Sequence, residues 1–271
     1  EAETWAMDEA LLKAALDEHS DIGAVTFNHT YGVMARDTAR IVGLCRGRGI
    51  PVIEDASEAH GAFLIANGRG PAGGYGDVAV FSCRGEKNVS GGQLGVLLTD
   101  DATLARRARQ YAENGLPAHT VRYWSTVPGL NFQAAHLNAA LACAQLERLD
   151  EILAARRAVH ERWRDLLGIY PGLTFQVASG APAWWLTGIL IDDAFTRMLP
   201  QDLGAALAER GIGTRPGFYG LHMLPHVAQA GEFPVTERLL RRLLILPSGP
   251  AITAEQQQYV VEQILEITGR A

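Results

Sequence analysis

Four short apolar segments in the first hundred residues, at 24–27, 51–53, 78–81 and 94–98, constrain this chain most. Each is of strand length, and each is continuously apolar rather than alternating, the pattern of a parallel sheet covered on both faces. Residues 35–48 run at helical spacing between the first two and close on Gly49, so strand, helix and strand form a right-handed crossover. A further helix is predicted over 7–16, where apolar positions follow the acidic pair Asp8 and Glu9. The class is therefore α/β. From 134 to 167 the pattern is helical almost without a break, as one bent helix or two. Beyond Pro171 the texture changes to strands at 173–177 and 185–191, helices at 201–210 and 235–242, and a last helix from Thr253. This predicts a large unit over 1–150 and a smaller α+β unit over 151–271.

Composition narrows the class of function. With 271 residues, 48% of them hydrophobic, the chain can bury a sizeable core. Its 24 Lys and Arg against 30 Asp and Glu leave a formal charge of −6, which disfavours a nucleic-acid binder or a polybasic membrane-surface protein. The apolar runs at 188–191 and 243–247 are far too short to span a bilayer. Cys45, Cys83 and Cys143 are odd in number and form no C-x-x-C pair, which suggests neither a disulfide framework nor a structural zinc site. A reducing, cytoplasmic setting is expected.

Several motifs are decoys. The glycines in 68–73 match G-x-G-x-x-G, but a strand follows them where a dinucleotide site needs a helix. His222 and His226 have a metal-ligand spacing, but Pro225 lies between them and no acidic ligand is suitably placed. No G-x-S-x-G elbow is present.

Lysine is scarce: Lys13 and Lys87 are the only two. Lys13 falls on the polar face of the first helix. Lys87 lies just past the third apolar strand, at the end of a sheet where α/β folds place ligands. A primary amine forms a Schiff base with an aldehyde cofactor, and desolvation lowers its pKa toward the nucleophilic form. Asp55 ends the second apolar strand on the same edge, where a carboxylate could keep a pyridine nitrogen protonated. Glu58, one helical turn on, could reach the same ring, and Ser82 could donate to a phosphate.

These residues sit in segments that resemble one family, the pyridoxal-phosphate sugar aminotransferases of the DegT/DnrJ/StrS type, which have the aspartate aminotransferase fold (fold type I). The matching segments are His29-Thr-Tyr-Gly, VIEDASEAHGA (52–62), GDVAVFSCRGEKN (76–88), PGLNFQ (128–133), AQLERLDEILAARR (144–157), TRPGFYGLH (214–222) and LPSGPAIT (246–253), in family order. The resemblance implies pyridoxal 5'-phosphate as cofactor, carried by Lys87, with Asp55 on the pyridinium nitrogen. Glu58 would lie beside the phenolic oxygen and Ser82 on the phosphate. Asn131 would reach the phosphate of a neighbouring subunit, which implies a homodimer with shared sites. Tyr219 and His222 would lie near a nucleotide-linked keto-sugar that receives the amino group of an amino acid donor, glutamate by expectation. No metal is implied.

The chain also departs from the family. The usual Gly-Glu-Gly-Gly after the lysine reads Ser90-Gly-Gly-Gln-Leu-Gly95, and the usual Asn-Tyr-Arg reads Asn131-Phe132-Gln133. Gln133 has no charge with which to hold a carboxylate or phosphate bidentately. The resemblance begins well inside a family member, so an upstream segment with further strands, a Gly-Thr phosphate loop and an aromatic that stacks on the cofactor is expected. The strands found here would then leave exposed edges and uncovered apolar faces. Two other readings follow: a catalytically silent half that needs another chain, and a sugar dehydratase of the same family. Relatives of the second kind typically carry histidine in place of the lysine, and Lys87 argues against it.

Overall fold

The structure is a computed structural model that describes residues 1–65, 69–117, 121–227 and 231–270. Helix α1 (Glu9–Glu18) starts where Asp8 accepts bonds from the N–H groups of Ala10 and Leu11 at 2.9 and 3.0 Å, and it buries Leu12 and Leu16. Strand β1 (Val25–Asn28), helix α2 (Thr38–Arg46) and strand β2 (Val52–Asp55) form the crossover that the sequence predicts. The short strands β3 (Phe63–Leu64) and β4 (Gly70–Pro71) pair with each other, and β5 (Val78–Ser82) and β6 (Gly95–Leu98) complete the first sheet. Its order is β1-β2-β5-β6.

The sheet is mostly parallel, as the expected fold class has it; the strand directions need correction only at its edge. The first three strands are parallel, but β6 runs antiparallel to β5. The link from 83 to 94 contains no helix, and a link that short and irregular does not carry the chain back for a parallel return. The sheet is not covered on both faces, which agrees with the uncovered apolar faces expected above and not with the cover that the strand pattern alone suggests. Burial alternates in β1 and β2, every residue of β6 is exposed, and Ile53 and Leu97 lie open on one face. Strand registers put Asp55, Val80 and Ser82 on that same open face, while Glu54 is on the covered one.

Helix α3 (Ala102–Ala112), capped by Asp101, was not anticipated from sequence. The long helical stretch is two helices, α4 (His136–Leu146) and α5 (Leu149–Leu167). After β7 (Leu173–Phe175), β8 (Thr187–Ile191), α6 (Pro200–Glu209), β9 (Arg215–Pro216), α7 (Pro234–Arg242), β10 (Leu243–Leu246) and α8 (Ala254–Ile267), the second sheet is antiparallel with the order β7-β8-β10-β9. Its core packs Trp163, Leu203, Leu207 and Ile264 from α5, α6 and α8 against Ile189 and Leu246. A separate apolar cluster of Trp5, Tyr31, Trp185, Leu190 and Leu243 ties this sheet to the strand ends of the first. No helix among the described residues is long and apolar enough to cross a membrane.

Candidate active site

The three parallel strands end on one edge of the first sheet, and the chemistry-bearing residues collect there. Asp55 is the last residue of β2, and its carboxylate accepts the N–H of Ser57 at 3.0 Å, which fixes the turn beyond the strand. Ser82 is the last residue of β5. Lys87 stands in the loop after it, its N–H bonded to the Arg84 carbonyl at 2.9 Å. Its amine meets Glu58 Oε1 at 3.4 Å, with only 9% of the lysine side chain and 14% of the glutamate side chain exposed.

Burial acts on both members of this pair. It pushes the Lys87 amine below its usual range, against the pull of Glu58, Glu86 and Asp55. It pushes the Glu58 carboxyl up, against Lys87 and the N–H of Tyr31, which donates to Glu58 Oε2 at 2.7 Å. The pair is thus held closer to its neutral forms than it would be in water.

Tyr31 makes that last bond from a left-handed backbone, at φ 60°. The following Gly32 is required by close approach. A Cβ there would lie 2.8 Å from the Glu58 carbonyl oxygen and 2.9 Å from the Trp185 nitrogen. The Tyr31 ring stacks on Phe218 at 5.4 Å, its oxygen accepts the Phe218 N–H at 3.3 Å, and burial pushes its hydroxyl up to about 12.

A cavity of about 480 Å³ opens beside the lysine loop, between that loop, α5 and the second sheet. Arg156, Trp185, Thr214, Arg215 and Ser248 line it together with Lys87. Arg156 is buried, its Nη1 donates to the carbonyls of Trp185 at 2.8 Å and Ser248 at 2.6 Å, and desolvation brings its pKa down to about 10.

Not every residue singled out from sequence comes to this place. Asn131 is exposed, in a bridge to Glu113 beyond α3, and Tyr219 is exposed. His222 stacks on Phe233 at 4.3 Å with Glu237 at 3.8 Å. From the same segment, Thr214 and Arg215 line the cavity and Phe218 reaches Tyr31. The glycine motif serves Glu54, while its first glycine, Gly68, lies outside the described residues. The buried Glu54 carboxylate takes the N–H groups of Gly73, Tyr75 and Gly76 at 2.6, 2.8 and 3.0 Å and meets His29 Nε2 at 2.8 Å. Burial alone would raise its pKa, but the His29 bond and the glycine N–H bonds outweigh that and hold it low. Tyr31, Arg156 and Trp185 escaped the sequence reading. The visible signal is the Trp184-Trp185 doublet, of which the strand expected over 185–191 takes in Trp185, whereas the strand itself begins only at Thr187.

Residues 1–265 match the model of the DegT/DnrJ/EryC1/StrS aminotransferase family. The chain belongs to that family. It is 33% identical over 280 aligned residues to EpsN of Bacillus subtilis (strain 168), named for a proposed pyridoxal phosphate-dependent aminotransferase activity, with 98% of this chain and 70% of EpsN aligned. It is 30% identical over 265 residues to the GDP-perosamine synthase of Escherichia coli O157:H7, covering 97% of this chain and 70% of that one. Among solved structures, DesI, determined in the presence of its TDP-sugar product, superposes with a TM-score of 0.86 at 27% identity, over 98% of this chain and 68% of DesI. The protein is thus a fold type I aminotransferase whose cofactor is pyridoxal 5'-phosphate. The amine, carboxylate and hydroxyl gathered on one strand-end edge fit that cofactor.

Proposed function

We propose that the protein moves an amino group from an amino acid, glutamate by our reading, to a keto carbon of a nucleotide-linked sugar, and that Lys87 is the residue that carries the cofactor. The observation behind this assignment is the buried Lys87–Glu58 pair at the strand-end edge that also holds Asp55 and Ser82. Support for the substrate class comes from relatives named as a GDP-perosamine synthase and as an enzyme with a TDP-sugar product.

When bound, the cofactor supplies an electron sink for the carbon that gains or loses the amino group. In this reading Asp55 would hold the positive charge on the ring nitrogen, and Ser82 would donate to the phosphate. Glu58, fixed by the Tyr31 N–H, would serve the phenolic oxygen and orient the lysine. Lys87, pushed toward its neutral form, takes the proton from the donor's amino-bearing carbon and later returns one to the sugar carbon. Asn131, which bridges Glu113 and does not line the cavity beside Lys87 in its own chain, would serve the phosphate of a second subunit in a homodimer. Tyr219 and His222 would face the sugar nucleotide.

Borohydride reduction of the cofactor-loaded protein, followed by peptide mapping, should place the pyridoxyl group on Lys87. With two lysines in the chain the result is decisive: label on Lys13, or none, overturns the assignment.

A further inference from the structure

Trp185 is 3% exposed and is fixed from two sides. Its indole N–H donates to the carbonyl of Glu86 at 2.8 Å, and its own carbonyl is held by Arg156 at 2.8 Å. Glu86 immediately precedes Lys87, so the lysine loop anchors the indole that its lysine then covers. The Lys87 Nζ stands 3.3 Å from the centroid of that ring, and Glu58 takes the same amine at 3.4 Å.

An indole buried only for its apolar area would need no cation on its face. A desolvated ammonium gains more from a tryptophan face than from any other ring, because little water competes for the charge. Burial drives the amine toward neutrality and the carboxylates oppose it; a ring face 3.3 Å from the Nζ favours the charged form in the same sense as the carboxylates do.

We propose that Trp185 is a positioning residue for Lys87: its indole face is the resting place of the ε-ammonium whenever the amine is not linked to the cofactor. This rests on the assignment of Lys87 above. Freed during turnover, a lysine side chain has four rotatable bonds with which to leave the reaction centre. Held between the indole and Glu58, it stays where its proton is needed. The charged groups that act on the amine are Glu58 from the turn after β2, Glu86 from its own loop and Asp55 from the end of β2. His60 is buried nearby, with Lys87 and burial both disfavouring its charge, and Arg156 and Arg215 line the adjoining cavity.

The test uses the cofactor-free protein and reads the pH dependence of amine modification at Lys87 by peptide mapping. Lys13, which is exposed and paired with Asp17, is the internal control. In Trp185→Leu the Lys87 pKa should fall by about 0.5–1.5 units, a reactivity roughly 3–30-fold higher at a fixed pH below the pKa, while Lys13 is unchanged. Trp185→Phe keeps a π face, so a smaller fall of a few tenths of a unit is expected, about twofold in reactivity. A Lys87 pKa that stays put or rises in folded Trp185→Leu overturns the proposal. If that variant does not fold, the same result in Trp185→Phe overturns it. Borohydride label away from Lys87 would overturn the assignment of the cofactor lysine without touching this amine's titration, so the two failures are separable.

Discussion

The two sheets of this protein are built to different standards. In the second, every residue of β8 and β10 is buried, and α5, α6 and α8 close over the sheet. In the first, β1 and β2 bury alternate residues and β6 buries none. The sheet with the poorer cover carries Asp55, Ser82 and the loop of Lys87 at its strand ends, while the second contributes cavity wall through Arg215, Ile245 and Leu246. Apolar cover and chemistry have been separated: one sheet supplies stability, and the other supplies an open edge on which charged groups can be set.

If that separation is real, substitutions in the two regions should fail in different assays. The largest effect is expected at the open edge. Asp55→Asn keeps the shape of the side chain and removes its charge, so transamination should fall by about 10²–10³-fold or more. The unfolding midpoint should barely move, because among the described residues the Asp55 carboxylate accepts one local bond, the N–H of Ser57, which the amide oxygen of Asn can also accept. A large loss of stability in this variant, with activity per folded molecule preserved, would break the comparison.

Next in size is Trp163→Ala in the second sheet's core. The indole is fully buried and its N–H donates to the Pro247 carbonyl at 3.0 Å. Its removal should cost about 3–5 kcal/mol of stability, read by denaturant unfolding. Cofactor binding by the molecules that remain folded should be unaltered.

The same separation governs what could be read from the sequence. The α/β class, the crossover from β1 to β2 and the strand-end placement of Asp55 and Lys87 were legible because continuous apolar runs and Gly49 are local signals. The reversal of β6 was not legible, since direction depends on the path of the loop from 83 to 94 rather than on the pattern of the strand. Helix α3 was legible in principle, since Leu104, Ala105, Ala108 and Ala112 recur at helical spacing behind the capping Asp101, but none of its residues is buried and its face meets no core. Tyr31 and Trp185 were missed for a different reason. Tyr31 acts through a backbone N–H at positive φ, and Trp185 acts through a ring that meets a lysine 98 positions earlier in the chain. Neither role leaves a trace in periodicity or spacing. The glycine motif misleads in the opposite direction: its last residue, Gly73, does give its N–H to an anion, together with Tyr75 and Gly76 just beyond the motif, but the anion is the chain's own Glu54.

The smallest effect compares one histidine from each region. His60, against Phe81 and 3.7 Å from the Cys83 sulfur, and His160, stacked on Trp184 at 3.4 Å, are both buried and both brought down to about 4. Because the folded pKa lies below the ordinary 6.5, both rings are neutral in folded and unfolded chains above that pH, and stability is full there. As pH falls from 6.5 toward 4 the unfolded chain takes up the protons first, so stability is lost across that window and levels off below it. Each ring contributes on the order of 3 kcal/mol to this loss. Burial is the larger cause at both sites, but the second cause differs: Lys87 acts on His60, and Arg164 on His160. Lys87→Met should therefore raise the His60 pKa, by less than about 1 unit, and leave His160 where it is. Histidine ring resonances followed through a pH titration of the two proteins read this directly. A shift at both rings, or at neither, would mean that the Lys87 charge does not act locally at the open edge, and the division between the two regions would lose its electrostatic half.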